Sequence, residues 1–147
     1  MEFVIRSMEE LERVARAVID DVRASETGAT LVTLSGELGA GKTAFVQIVA
    51  RLLGVEENVT SPTFVIEKEY VPNTGPFERL AHIDAYRLTG ERELDTIGWR
   101  DLMKRPKCLV LLEWPERIPS IISAAYARMR FDAAHDSSRI ITYVRTA

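Results

Sequence analysis

Residues Gly36 to Thr43 read G-E-L-G-A-G-K-T and satisfy G-x-x-x-x-G-K-[ST] at every fixed position. The preceding Thr30-Leu-Val-Thr-Leu-Ser35 is an apolar run of strand length. After the loop come Phe45, Ile48, Val49, Leu52 and Leu53 at helical spacing, then Gly54, suited to the left-handed position that ends a helix. Glycines at 36, 39 and 41 let successive N–H groups point at one anion, where a Cβ would block positive φ or close approach. The positive end of the following helix adds to that attraction. Lys42 is placed to reach the β and γ phosphates, and Thr43 offers a hydroxyl to Mg²⁺. A chance glycine-rich turn would lack the flanking strand and helix. The reading is a nucleoside triphosphate site contacted by Gly36, Glu37, Leu38, Gly39, Ala40, Gly41, Lys42 and Thr43.

With 147 residues, 46% of them hydrophobic, the chain suits a single domain spanning 1–147. No apolar run approaches the ~20 residues that cross a bilayer. The start, Met-Glu-Phe-Val-Ile-Arg, lacks the basic and long apolar regions of a signal peptide. The expected setting is the cytoplasm, away from membranes. A single cysteine, Cys108, excludes an internal disulfide and a multi-cysteine metal site; set in an apolar run, it reads as a buried, inert thiol. Net charge is −3, so the global basic footprint of a nucleic-acid binder is missing. The short run with Arg100, Lys104, Arg105 and Lys107 includes Asp101 and reads as a solvated helix end at least as well as a phosphate track. If RNA is involved, this chain is not expected to be its main binding surface.

Phe3-Val-Ile5 can form a short strand. Ser7 and Glu10 have the spacing of a capping box, and Met8, Leu11, Val14, Ala15, Val18, Ile19 and Val22 continue as an amphipathic helix. Pro62 breaks any helix through 60–64 and biases Ser61 to extended geometry. Phe64 to Tyr70 and Arg79 to Asp84 read as a hairpin joined by the turn formers of 71–76. Glu91 to Met103 reads as two short helical pieces divided at Gly98, and Ile118 to Ala125 as a short helix or turn. Lys107-Cys-Leu-Val-Leu-Leu112 is apolar throughout, as a buried parallel strand is. Tyr126 to Phe131 and Arg139 to Val144 should close the chain as an antiparallel hairpin. The fold class is α/β: a mostly parallel central sheet flanked by helices, with antiparallel strands at the C-terminal end.

Three further groups carry chemistry. Glu113 directly follows the apolar strand, where open α/β sheets bind ligands, and a carboxylate there suits the Mg²⁺ that Thr43 also faces. His82 and Asp84 share one face of a strand. Asp84 could orient or deprotonate a water or join the outer shell of the metal, while His82 alone reads as a core histidine. Tyr86 and Arg87 follow where that strand ends, Arg87 suited to a phosphate or a partner's carboxylate. Hydroxyls at Thr60, Ser61 and Thr63 can bond phosphate or metal-bound water. Asp95-Thr-Ile-Gly98 matches the D-x-x-G of GTPases, but no apolar strand precedes it and no N-K-x-D or T-K-x-D is present.

Together, G-E-L-G-A-G-K-T (36–43), T-S-P-T-F (60–64), H-I-D-A-Y-R-L (82–88), E-L-D-T-I-G-W (93–99) and L-L-E-W-P-E (111–116) resemble the bacterial TsaE family, formerly YjeE, over nearly the whole chain. The resemblance implies a P-loop NTPase fold and Mg²⁺-dependent ATP hydrolysis, slow in isolation. It implies assembly with TsaB and TsaD in threonylcarbamoyl (t6A) modification of tRNA, which the chain meets indirectly. Carried onto this chain, Lys42 contacts phosphates, Thr43 and Glu113 hold Mg²⁺, and Asp84, with Lys42, serves hydrolysis. Ser61 to Thr63 and His82 to Arg87 become switches, and Trp114 lies near the nucleotide. Ser7 and the 131–135 region become candidates for adenine contact. The 71–78 connection, with two prolines and a glycine, is a segment the family does not fix in length or composition. Two other readings use the same loop: a small-molecule kinase, which an Arg-bearing lid would favour, and a nucleotide-gated adaptor with incidental hydrolysis.

Overall fold

The computed structural model describes residues 1–37, 39–59 and 67–146. Seven strands form one sheet: β1 (Glu2–Ile5), β2 (Thr30–Gly36), β3 (Glu67–Tyr70), β4 (Arg79–Asp84), β5 (Cys108–Glu113), β6 (Ala127–Ala133) and β7 (Arg139–Arg145), in the order β1-β7-β6-β2-β5-β4-β3. The inner pairs β6–β2, β2–β5 and β5–β4 are parallel. The outer pairs are antiparallel, including β6–β7, the expected closing hairpin. The hairpin expected from 64 to 84 is present as β3–β4, and residues 64–66 of its first strand lie outside the described residues. β1 takes the far edge beside β7, with Val4 opposite Ile140.

Strands β2, β4 and β5 bury alternate residues against two layers. Val32, Leu34, Leu109 and Leu111 meet α1 (Met8–Asp21) and α2 (Lys42–Leu52) through Leu11, Val14, Phe45 and Ile48. Leu31, Ala81, Ile83, Val110 and Leu112 meet a thinner layer on the other face, built around Leu94, Leu102, Ile118 and Ile121. That layer consists of 3₁₀ segments at Glu91–Ile97 and Pro119–Ala124 and of α3 (Trp99–Met103), with Gly98 in the left-handed region between the first segment and the helix. Thus Asp95 to Gly98 terminates a turn, a structural use of the D-x-x-G pattern. Both layers cover β5, which explains its unbroken burial. Burial also pushes the Cys108 thiol up to about 11, as an inert thiol requires. Among the described residues no helix is long and apolar enough to cross a membrane.

Local signals hold in detail. Ser7 accepts the Glu10 N–H at 3.2 Å at the head of α1, while the Glu10 carboxylate accepts the N–H of Arg6, also at 3.2 Å, instead of that of Ser7. Gly54 has φ of 77° just after α2. At the opposite edge, Glu69 on β3 is bridged by Arg105 and lies 3.9 Å from Arg79 Nε. Burial, then the hydrogen bond and charge of Glu69, push the neighbouring Glu67 carboxyl from 4.5 up to about 7. Its folded value exceeds its unfolded one, so its contribution to stability is full below 4.5 and is lost as pH rises through about 7. Glu69 is shifted downward, so its own window lies below 4.5. Glu67→Gln should therefore melt with wild type at pH ~4 and above it at pH ~8. Equal melting at both values would show that Glu67 titrates like an exposed acid.

Candidate functional site

The parallel strands end together. Opposite Glu113 at the end of β5 stand Leu34 of β2 on one side and Asp84 of β4 on the other. Just beyond, the chain curls through Gly36, Gly39 and Gly41 at φ of 138°, 76° and 103° and enters α2. The first turn of α2 has no acidic residue and no side-chain cap, so its terminal N–H groups present an uncompensated partial positive charge.

Lys42 is 4% exposed. Its ammonium donates to the carbonyls of Gly36 and Glu37, the latter at 3.0 Å, and lies 4.1 Å from the centroid of the Trp114 ring. Burial lowers its pKa from 10.5, while the charges of Glu113, Glu116, Asp84 and Glu37 oppose that shift. Trp114 is itself left-handed, at φ of 64°. Its N–H donates to Leu34 O at 3.1 Å, and Tyr86 packs against its ring with centroids 4.9 Å apart.

Thr43 Oγ1 donates to the Glu113 carboxylate, 3.3 Å from Oε1 and 3.2 Å from Oε2. His82 Nε2 meets Oε2 at 2.6 Å. Asp84 Oδ1 accepts the N–H of Tyr86 at 3.0 Å. Its carboxyl is raised above 3.8, first by burial; the Glu113 charge adds to this, and the Tyr86 hydrogen bond, His82 and Lys42 offset part of it.

Lys42, Thr43, Asp84, Glu113 and Trp114 line a cavity of about 640 Å³ between the loop, the head of α1 and the β6–β7 turn, room enough for a nucleotide. Of the residues singled out from sequence, Ser7, Gly39, Ala40, Gly41, Lys42, Thr43, Asp84, Glu113 and Trp114 reach its wall. Gly36 and Glu37 instead line a second cavity, of about 510 Å³, on the outer side of the loop. Leu38, Ser61 and Thr63, with Thr60 and Pro62, lie outside the described residues. Arg87 is exposed and does not line either cavity. Phe131, Asp132 and Ala133 border the outer cavity, and the hairpin presents Ser137 and Arg139 to the larger one.

Arg139 is the main residue that sequence reasoning missed. Its Nε stands 4.0 Å from where a Cβ on Gly41 would be, and its side chain forms no ion pair among the described residues. Antiparallel β7 starts at the end where the parallel strands finish, which carries its first residue to the site. Without the β6–β7 register, Arg139 reads as an ordinary hairpin residue.

A parallel-centred sheet with this loop at the end of its middle strand defines a P-loop NTPase fold. The family model described as "Threonylcarbamoyl adenosine biosynthesis protein TsaE" matches residues 5–141, and the chain belongs to the TsaE family. It is 42% identical over 105 residues to the tRNA threonylcarbamoyladenosine biosynthesis protein TsaE of Streptomyces coelicolor, a match covering 71% of this chain and 69% of that protein. The protein of the same name from Haemophilus influenzae is 33% identical over 118 residues, covering 80% of this chain and 72% of the relative. The crystal structure of Bacillus subtilis YdiB superposes with a TM-score of 0.71 at 26% identity, covering 100% of this chain and 86% of that one.

Proposed function

We propose that this TsaE-family protein is a Mg²⁺-dependent ATPase that acts with TsaB and TsaD in the threonylcarbamoyl modification of tRNA. The observation that carries the catalytic part is the convergence of the phosphate loop, the Thr43–Glu113 pair and Asp84 on one cavity. The pathway comes from the family. Its setting is the cytoplasm, and tRNA is met through the partner proteins, in keeping with the net charge of −3.

The donor set suits Mg²⁺. Thr43 and Glu113 offer oxygens already within 3.3 Å of each other. The described residues contain no cluster of three acidic, His or Cys ligands. That is the pattern for a cation which keeps waters and takes its remaining oxygens from phosphates. When bound, Mg²⁺ would neutralise charge on the phosphate oxygens. Loop N–H groups and Lys42 bind the phosphates, Trp114 covers the lysine, and Asp84 orients a water or takes its proton.

Purified protein should hydrolyse ATP slowly alone and faster when TsaB, TsaD and tRNA are added. A rate that ignores them but rises with a small metabolite would make it a kinase. Asp84→Asn keeps the acceptor for the Tyr86 N–H and removes the base. It should leave ATP affinity intact and slow hydrolysis about 100-fold. Because burial raises Asp84 above 3.8, the wild-type rate should fall on acidification at a pH above that value, and this limb should vanish in Asp84→Asn. Equal loss of binding and hydrolysis would instead place Asp84 among the metal's ligands.

A further inference from the structure

His82 is fully buried, at 0% exposure. Its Nε2 meets Glu113 Oε2 at 2.6 Å, and its Nδ1 has no partner among the described residues. As packing alone, an imidazole here is a poor choice, because burying its polar atoms costs free energy that an aliphatic side chain avoids. The bond to Glu113 is the interaction that offsets this cost.

The register explains the reach. In the parallel β4–β5 pair His82 stands opposite Leu111 and Asp84 opposite Glu113. His82 therefore lies one pleat below the carboxylate, on the same face of the adjacent strand. Thr43 approaches that carboxylate from α2. The last torsion of a glutamate has broad preferences, so its carboxylate plane is set by partners and not by the side chain's own rotamer.

We propose that His82 is a positioning residue, whose Nε2–H fixes the Glu113 carboxylate in the orientation in which it holds a divalent cation together with Thr43. This rests on the reading of Thr43 and Glu113 as the cation site. Ligand-orienting hydrogen bonds of this kind are worth about 10–100-fold in metal affinity when removed.

The test is the affinity for a non-hydrolysable ATP analogue across a Mg²⁺ titration and in EDTA, for wild type, His82→Leu and His82→Gln. His82→Leu should raise the half-saturating Mg²⁺ concentration about 10–100-fold and leave the EDTA affinity unchanged. His82→Gln keeps an N–H donor of similar reach and should return the titration to within a few-fold of wild type. If His82→Leu loses its near-ultraviolet circular dichroism, His82→Asn, too short to reach Glu113, takes its place with the same expectation. Mg²⁺ titrations that match wild type in all variants overturn the proposal. So does parallel loss of affinity with and without Mg²⁺, the mark of a packing role. A wild type whose binding ignores Mg²⁺ would instead overturn the cation site itself.

Discussion

Lys42→Ala abolishes tight nucleoside triphosphate binding, with the dissociation constant rising at least about 100-fold, on the order of 3 kcal/mol. The size follows from the surroundings of the ammonium. It is nearly buried, it is bonded to two carbonyls of its own loop, and it lies against the Trp114 ring. Glu113, Glu116, Asp84 and Glu37 all act on it electrostatically. Without Lys42 those acids lose a counter-charge, and the N–H groups of α2 and the cation must hold the triphosphate against them. Burial lowers the lysine below 10.5, so wild-type affinity should also begin to fall at a pH below that value. Calorimetric titration with a non-hydrolysable analogue, beside circular dichroism to confirm the fold, reads both effects. Unchanged affinity in Lys42→Ala would sink the phosphate-loop assignment.

Legibility tracked how local each cause was. β5 could be read because burial on both faces leaves no alternation, and Glu113 because an acid ending such a run stands out. Ser7 was visible as a cap, yet the Glu10 side chain turned to Arg6, a choice of rotamer that spacing does not encode. The place of β1 beyond β7 was not legible, because Phe3 pairs with Ile141 at the far end of the chain and no local signal marks the match. Arg139 was hidden for the same reason. Trp114 shows the opposite conflict. The residue before a proline is steered to extended geometry, but here it is left-handed, held by Leu34, Lys42 and Tyr86. Such a conformation costs about 1–3 kcal/mol and persists only where the surroundings over-determine it.

Gly36→Ala should destabilise the fold by about 3 kcal/mol, the largest loss expected from a single added methyl in the loop. Two costs combine there. The backbone sits at φ of 138°, and a Cβ would stand 2.4 Å from the carbonyl oxygen of Phe131. That oxygen cannot retreat easily, because Phe131 is the pairing partner of Gly36 on β6 and its ring packs edge-on against Phe45, 5.8 Å away. Relief requires either breaking the end of the β2–β6 pair or displacing the loop, so nucleotide affinity should fall with stability. Gly39→Ala is the control. Its φ of 76° carries a left-handed penalty of about 1–2 kcal/mol, but among the described residues a Cβ there meets nothing within 4 Å. Urea denaturation of both variants should place Gly36→Ala well below Gly39→Ala. Equal losses would mean that the glycine at 36 serves backbone freedom alone. The larger loss would tie it to the place where β2 must leave its neighbour and turn over the site within one residue.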